Sequence, residues 1–360
     1  MALLYIDGFD LQDATMRWVL VGQPADVIYT TPTRFSAGKA VTLAVSASTP
    51  SQSALSIMRQ LPPSASIYAG AAIQVGLENG NVNDTTANLF GIYTDSGTTG
   101  HLYIRRLSNN SIVAYRGDPA SGNLGSPSGT QIAATAAGTL DGNWHFIEVF
   151  ATINATTGQL IVKVDGVQVI NFTGNTKNGG TSTNIDAIRF RTGKYLNTPN
   201  SPISIDDLYV CDATGATNNT FLGDVRVQSM VPNAAGSSTQ LTPTGSANNY
   251  ANAGDAPYND ATYNSSSTVG QRDTYALSDL VVGTTTVLAT QSVAHMQKSD
   301  AGTANAKVAL KSGASVYYDT TQSLGTSPAA YTQLRETDPA TSAAWTVGNA
   351  NNLEAGMEVA

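Results

Sequence analysis

Apolar residues along the chain recur mostly at every second position and in short runs. Lys39–Ala47 sets Val41, Leu43 and Val45 against Ala40, Thr42, Ala44 and Ser46, the period of a half-buried strand. Ala71–Val75 and Leu89–Thr94 read the same way, and Leu3–Asp7 is a short apolar strand. His101–Leu107 and Ile112–Arg116 flank Ser108-Asn109-Asn110, which predicts a hairpin. In Trp144–Ile153 one face carries Trp144, Phe146, Glu148 and Phe150, and the other His145, Ile147, Val149 and Ala151. Thr156-Thr157-Gly158 turns the chain into Gln159–Val164, and Asp165-Gly166 then precedes Val167–Phe172. An Asp-Gly pair between alternating strands predicts a two-residue type I′ turn, because both central positions need positive φ. Asn184–Phe190 and Ile203–Val210 complete this first block.

Sustained helical spacing is missing. Ser51–Leu61, with Leu55, Met58 and Arg59, comes nearest to a helix before Pro62-Pro63 stops it, and an extended strand over Ala54–Gln60 fits its neighbours better. Residues 213–220 carry no period and read as a joint. Phe221–Val231 is strand-like, and residues 232–278 form a long passage rich in Asn, Ser, Gly and Tyr. A structureless loop of that length is unusual in a compact domain. The passage is therefore expected to wrap a surface or a neighbouring subunit, with Tyr250, Tyr258 and Tyr263 as anchors. Strand signals return at Leu280–Val282, Thr285–Ser292, Ala306–Lys311, Ala314–Asp319, Tyr331–Glu336 and Ala344–Val347. The pattern predicts an all-β chain of two tandem antiparallel β-sandwiches, residues 1–212 and 221–360.

Composition narrows the function classes. The 360 residues are enough for two domains, and only 12% are charged, against about 25% in an average soluble domain. Net charge is −8 and no Lys/Arg run occurs, so no nucleic-acid partner is expected. Apolar runs fall far short of the ~18 residues a membrane span needs, so no membrane partner is expected either. Met1–Asp7 has no basic segment ahead of it, which argues against a signal peptide and for synthesis in a reducing cytosol. The single cysteine, Cys211, excludes an internal disulfide and is expected to pack as a small apolar residue.

Catalytic chemistry finds little support in the residues. The five glutamates, Glu78, Glu148, Glu336, Glu354 and Glu358, make no pair on one strand of the kind a retaining glycosidase uses. His101, His145 and His295 have no Gly-x-Ser-x-Gly elbow to serve. Three scattered histidines and one cysteine do not make a zinc site. The expectation is no catalytic residue and a chain that is not an enzyme. Glycan binding needs an exposed aromatic beside Asn, Asp or Gln. The candidates are Tyr93 with Asp95, Tyr115 with Asp118, and Tyr195 with Asn197.

Three segments carry a resemblance: Trp144-His-Phe-Ile-Glu-Val, Val162-Lys-Val-Asp-Gly-Val-Gln-Val and Ile205-Asp-Asp-Leu-Tyr-Val. Together they resemble the concanavalin A-like (LamG-type) jelly-roll family. That resemblance implies that the late strand closes a sheet beside the opening Leu3-Leu-Tyr-Ile-Asp-Gly-Phe-Asp10. Many LamG-like domains bind Ca²⁺ at one rim, which makes Asp7, Asp10, Asp206 and Asp207 calcium candidates. The alternative is that aspartates at strand ends are ordinary turn chemistry. The order of the opening segment, Arg34-Phe-Ser-Ala-Gly-Lys-Ala, Asp206-Asp-Leu-Tyr-Val-Cys-Asp, Phe221-Leu-Gly-Asp-Val-Arg-Val, Asp338-Pro-Ala-Thr and Ala344-Trp-Thr also resembles a group of tailed-bacteriophage virion proteins. This implies a structural protein on the virion exterior, assembled in the host cytoplasm. A tail fibre or minor tail subunit is the first placement and a capsid decoration protein the alternative. The implied partners are other virion proteins, further copies of itself (a homotrimer by phage analogy) and host-surface glycans. A carbohydrate-binding or glycan-cleaving jelly roll remains the rival reading.

Overall fold

A computed structural model describes residues 2–30, 33–35, 38–45, 54–76, 87–118, 129–195, 198–199 and 202–360. The chain divides into two compact units. The first is Met1–Asp10 with Trp18–Val227, and the second is Leu11–Arg17 with Gln228–Ala360. Strands hold about 50% of the described residues and helices about 5%.

The strands of the first unit are β1 (Leu3–Asp7), β2 (Val19–Val21), β3 (Val27–Thr30), β4 (Ala40–Leu43), β5 (Ala54–Ser64), β6 (Ser66–Val75), β7 (Asn88–Thr94), β8 (Thr99–Arg106), β9 (Ile112–Arg116), β10 (Thr130–Ala134), β11 (Trp144–Thr152), β12 (Gly158–Val164), β13 (Val167–Gly174), β14 (Ile185–Tyr195), β15 (Thr198–Pro199) and β16 (Ile203–Asp212). They build two antiparallel sheets of a jelly roll. One runs β13-β12-β11-β6-β16-β4-β3, with β1 also on β16. The other runs β10-β9-β8-β7-β14-β5-β2, with β15 on β14. Alternation decides the faces: Ile67, Ala69, Ala71 and Ile73 of β6, with Ile147 and Val149 of β11, are buried on the inner side of the first sheet. Aromatic contacts bridge the layers. Tyr5 and Phe9 pack on Trp18, whose ring lies 5.9 Å from Phe190, and Phe190 meets Phe90 at 5.0 Å.

Several sequence expectations are met. The terminal strands pair, with Leu3 opposite Cys211 and Asp7 opposite Leu208. Asp165 (φ 49°) and Gly166 (φ 79°) make the left-handed pair that the Asp-Gly turn required, and Val164 faces Val167 across it. Residues 54–64 are strand rather than helix. The 46–47 end of the strand read from Lys39 lies outside the described residues.

The joint expected at 213–220 and the strand expected at Phe221–Val231 are corrected. Residues up to Val227 belong to the first unit, and 221–231 form no strand. Their backbone bonds go to side chains of the first sheet's outer face instead of to a ladder. Gly223 N donates to Glu148 Oε1 at 2.9 Å, Leu222 N to the Tyr209 hydroxyl at 3.1 Å, and Val227 N to Asp207 Oδ1 at 2.7 Å. Tyr209 in turn donates to Glu148 at 2.5 Å. Phe221 adds an edge contact to Tyr68, which stacks on Phe150. Gly70 is what admits the Tyr209 ring: a Cβ there would overlap its edge.

The second unit has β17 (Pro232–Thr239), β18 (Thr242–Thr244), β19 (Tyr263–Ser265), β20 (Arg272–Leu277), β21 (Thr290–Met296), β22 (Asn305–Ser312), β23 (Ser315–Tyr318), β24 (Gln322–Ser323), β25 (Ala329–Arg335) and β26 (Glu354–Val359), with short helices at Ala14–Arg17, Asn249–Ala253 and Val347–Asn351. A six-stranded sheet, β17-β20-β26-β22-β23 with β24 on β22, is accompanied by the ribbons β18-β19 and β21-β25. Met296 of β21 and Tyr331 of β25 pack with Ala306 and Val308 of β22 and Met357 of β26, making a second layer. The passage 232–278 is built into this unit as β17 through β20. Asp273 holds it, accepting from Gln240 N, Leu241 N, Asn249 Nδ2 and the Tyr275 hydroxyl at 2.6–2.9 Å. Polar side chains therefore do here what apolar packing does in the first unit. No helix among the described residues is long and apolar enough to cross a membrane.

Candidate ligand-binding face

The outer face of the second sheet of unit one gathers its chemistry in cross-strand rows. Residues directly opposite each other share a face of the sheet. One row reads Val113 (β9), Arg105 (β8), Asn88 (β7), Arg191 (β14), Ser56 (β5), Val21 (β2). The next reads Gln131 (β10), Tyr115 (β9), Tyr103 (β8), Gly91 (β7), Arg189 (β14), Met58 (β5), Val19 (β2). A third carries Gly100, Tyr93, Ala187 and Gln60. Three arginines and three tyrosines thus share one sheet face, at its β2 edge flanked by the exposed Val19 and Val21.

The rows are held together locally. Tyr93 and Tyr103 meet edge to face at 5.7 Å and, with Tyr115, Val113 and Ala187, form a cluster against which Met58 packs. Gly91 and Gly100 make the room, since a Cβ at either would press on the rings of Tyr93 or Tyr103. Arg189 donates through Nε and Nη2 to Ser56 Oγ at 2.8 and 2.6 Å, and its Nη1 lies 3.4 Å from the Tyr93 hydroxyl. Arg191 Nη1 donates to Asp118 at 3.2 Å. Arg191 Nε and Asn88 Oδ1, opposite each other in register, are buried and make no hydrogen bond among the described residues. Burial, then the nearby Tyr93 and Asp118, pushes the Tyr103 phenol far above its usual value, so it is held neutral.

The tyrosines singled out from sequence are corrected in part. Tyr93 and Tyr115 lie on this face, but at 3% and 8% exposure they are its floor and not open platforms. The rings pack on each other because small residues alternate with them across the strands. The side chain of Tyr195 and all of Asn197 lie outside the described residues. Arg105, Arg189, Arg191, Asn88 and Tyr103 went unnamed from sequence. The signal was present in Ala187-Ile-Arg-Phe-Arg191, where arginine alternates with core residues.

The four calcium candidates converge as the pairing of the terminal strands predicted. Their oxygens, however, meet protein donors. Asp7 accepts from the Tyr5 hydroxyl, Phe9 N and Trp18 Nε1 at 2.8–2.9 Å. Asp10 accepts from Lys39 N at 2.8 Å, an approach open because Gly38 (φ 112°) has no Cβ to collide with the carboxylate. Asp206 accepts from Asp207 N at 2.8 Å. Arg34 Nη1 lies 3.7 Å from Asp207 Oδ2, and its Nη2 pairs with Asp224. Burial and each other's charge raise Asp206 well above the carboxylate range, and burial raises Asp207 against the pull of Val227 N and Arg34. Among the described residues no group of three or more His, Cys, Asp or Glu is placed to hold a metal ion.

The histidines separate. His101 is buried, touching Thr94 Oγ1 and accepting from Asn178 N. His145 bridges Asp165 at 2.7 Å and Asp141 at 2.9 Å, and these two carboxylates raise its pKa against the opposing effect of burial. His295 contacts Asp13 at 2.8 Å, and Asp13 also receives Arg17 Nε at 2.6 Å. Cys211 is buried, and its thiol donates to Thr220 O at 3.4 Å.

No family model and no curated protein matches the chain. Solved structures similar to it include a sialidase (12% identity, TM-score 0.38), with 58% of this chain and 18% of that one covered. Alginate lyase vAL-1 from Chlorella virus is similar at 13% identity and TM-score 0.38, covering 59% of this chain and 99% of that one. So is the carbohydrate binding module CBM66 from Bacillus subtilis, at 9% identity and TM-score 0.32, covering 55% and 96%. The expectation that the chain is not an enzyme is corrected here: a sialidase and an alginate lyase stand among the similar structures. At these scores the likenesses assign no activity and no residue to this chain.

Proposed function

We propose that the first unit binds a saccharide along the outer face of the β10-β9-β8-β7-β14-β5-β2 sheet. The observation that carries this reading is the row Arg105, Asn88, Arg191. It leaves a buried acceptor, Asn88 Oδ1, opposite a buried donor, Arg191 Nε, each without a hydrogen bond among the described residues. A buried polar atom left unpaired costs about 1–3 kcal/mol. A sugar hydroxyl is donor and acceptor at once and would satisfy both. The tyrosine floor supplies apolar area with polar tips, the mixture a pyranose ring presents in return.

The test is a titration of the full chain against a panel of oligosaccharides, with released reducing ends followed in the same tubes. Saturable binding that is weakened about tenfold or more in Asn88→Leu supports the face. Binding unaffected by changes at Asn88 and Arg191, or no binding across the panel, would overturn it. We place this activity, as the sequence resemblance implied, on the exterior of a tailed-phage particle, among other virion proteins and copies of itself. That placement rests on the resemblance alone. Immunogold labelling of intact particles tests it, and unlabelled heads and tails would remove it.

A further inference from the structure

Arg189 is a half-buried cation whose hydrogen-bond partners among the described residues are all neutral. Its Nε and Nη2 share one acceptor, Ser56 Oγ, and its Nη1 has only the 3.4 Å contact with the Tyr93 hydroxyl. The guanidinium carbon lies 5.8 Å from the Tyr93 ring centroid, and no ion pair of Arg189 with a carboxylate exists among the described residues. A guanidinium offers five N–H donors in a planar fork. One hydroxyl and one long contact leave most of that capacity for a further acceptor, and an oxyanion with two oxygens in a plane is its best match.

The surroundings point the same way. Arg191 stands on the same face, two residues along β14, and Asp118 is the carboxylate that meets it. Arg105 stands opposite Asn88 in the same row. Of the two arginines of β14, Arg191 pairs with Asp118 and Arg189 with no carboxylate among the described residues, in a chain whose net charge is −8. Holding a charge out of water without a counter-charge is costly, so an anionic group arriving at Arg189 supplies the counter-charge that Ser56 and Tyr93 do not.

We propose that the saccharide bound at this face carries an anionic substituent, a carboxylate or a sulfate ester, and that Arg189 reads it. This rests on the saccharide reading above and adds the class of sugar to it. Wild-type protein is titrated with three matched oligosaccharide panels: uronate-containing, the same oligomers after carboxyl reduction, and sulfated. Arg189→Gln, Arg189→Lys and a charge-matched control in the other unit, Lys307→Gln, follow. The expected result is at least tenfold tighter binding of one anionic panel than of the reduced one. Arg189→Gln should abolish that preference, Arg189→Lys should restore part of it, Lys307→Gln should leave it intact, and added salt should weaken it. Which anionic panel prevails identifies carboxylate or sulfate. Equal affinity for anionic and reduced oligomers overturns this inference while the saccharide reading stands. No binding to any panel removes both. The wild-type comparison decides the matter even if a variant fails to fold.

Discussion

Replacing Asp206 with asparagine should stabilise the first unit, and by an amount that depends on pH in a definite direction. Asp206 and Asp207 are adjacent, both nearly fully buried, with Asp7 and Asp10 close enough to add to the repulsion. Burial is the largest cause of the raised Asp206 pKa, and the Asp207 charge comes next. Below the ordinary carboxylate value of 3.8 the folded and unfolded chains both hold the proton, and the site costs nothing. As pH rises from there, the unfolded chain releases its proton first, so stability falls until the folded pKa is passed and the cost levels off. The folded pKa is pushed up from 3.8 to about 8, and at about 1.4 kcal/mol per pH unit that rise corresponds to several kcal/mol. Asparagine keeps the Oδ1 that accepts from Asp207 N at 2.8 Å and removes the charge. Urea unfolding between pH 4 and 8.5, followed by tryptophan fluorescence, should show the variant within about 0.5 kcal/mol of wild type at pH 4 and several kcal/mol more stable at pH 8. A gain that is the same at every pH, or a loss at pH 8, would refute the reasoning.

Three further outcomes follow from named contacts. Tyr209→Phe deletes the hydroxyl that serves Glu148 and Leu222 N. It should cost the first unit about 1–3 kcal/mol, and limited proteolysis should then cut within 213–227 before it cuts the sheets. His145, clasped by Asp141 and Asp165, should titrate above 6.5 in an NMR pH series. Its stabilising effect is full below 6.5 and is lost as pH rises through the folded value. Asp165→Asn should move that titration down, and a wild-type value at or below 6.5 would remove the clasp. Asp273→Ala strips four donors of their acceptor and should lower the second unit's stability by about 3 kcal/mol or more. Calorimetry should show that transition moving while the transition of the first unit stays in place.

Where the fold could be read from sequence, a local rule and a burial rule agreed. The Asp165-Gly166 turn needs two positive φ angles, and the strands on either side alternate, so turn chemistry and face assignment gave one answer. The pairing of Leu3–Asp7 with Leu208–Cys211 was implied by the jelly-roll resemblance, and the short, apolar, alternating character of both segments agreed with it. The second unit was less legible because its strands are poor in apolar residues. Glu354–Val359 occupies the middle of its sheet, between β20 and β22, yet reads Glu-Ala-Gly-Met-Glu-Val and gave no strand signal. Its Glu354 is tied by Lys311, Ser237 and Thr274, which hold the carboxyl down at about 2 despite burial. Such a strand is chosen by its partners, and a pattern of its own residues does not reveal it.

The candidate ligand-binding face was hidden by a different cause. Tyrosines beside Asp or Asn were sought on loops, on the premise that a sugar site needs an exposed ring. The chemistry lies instead on strand positions that a hydrophobicity pattern assigns to solvent and then ignores. Arg189 and Arg191 alternate with Ile188 and Phe190, and Tyr103 and Arg105 alternate with Leu102 and Ile104, so both pairs read as ordinary outward residues. What makes them a site is register. Irregularities between Asn88 and Phe90, and between Arg189 and Arg191, slip β7 against both neighbours by one residue. That slip brings Asn88 opposite Arg105 on one side and Arg191 on the other. Without it, Leu89 would stand between the two arginines and the unpaired acceptor would turn toward the core. A deletion that erased the bulge would therefore preserve the alternation of every strand and still destroy the row, which is why a one-dimensional reading of the same residues does not find it.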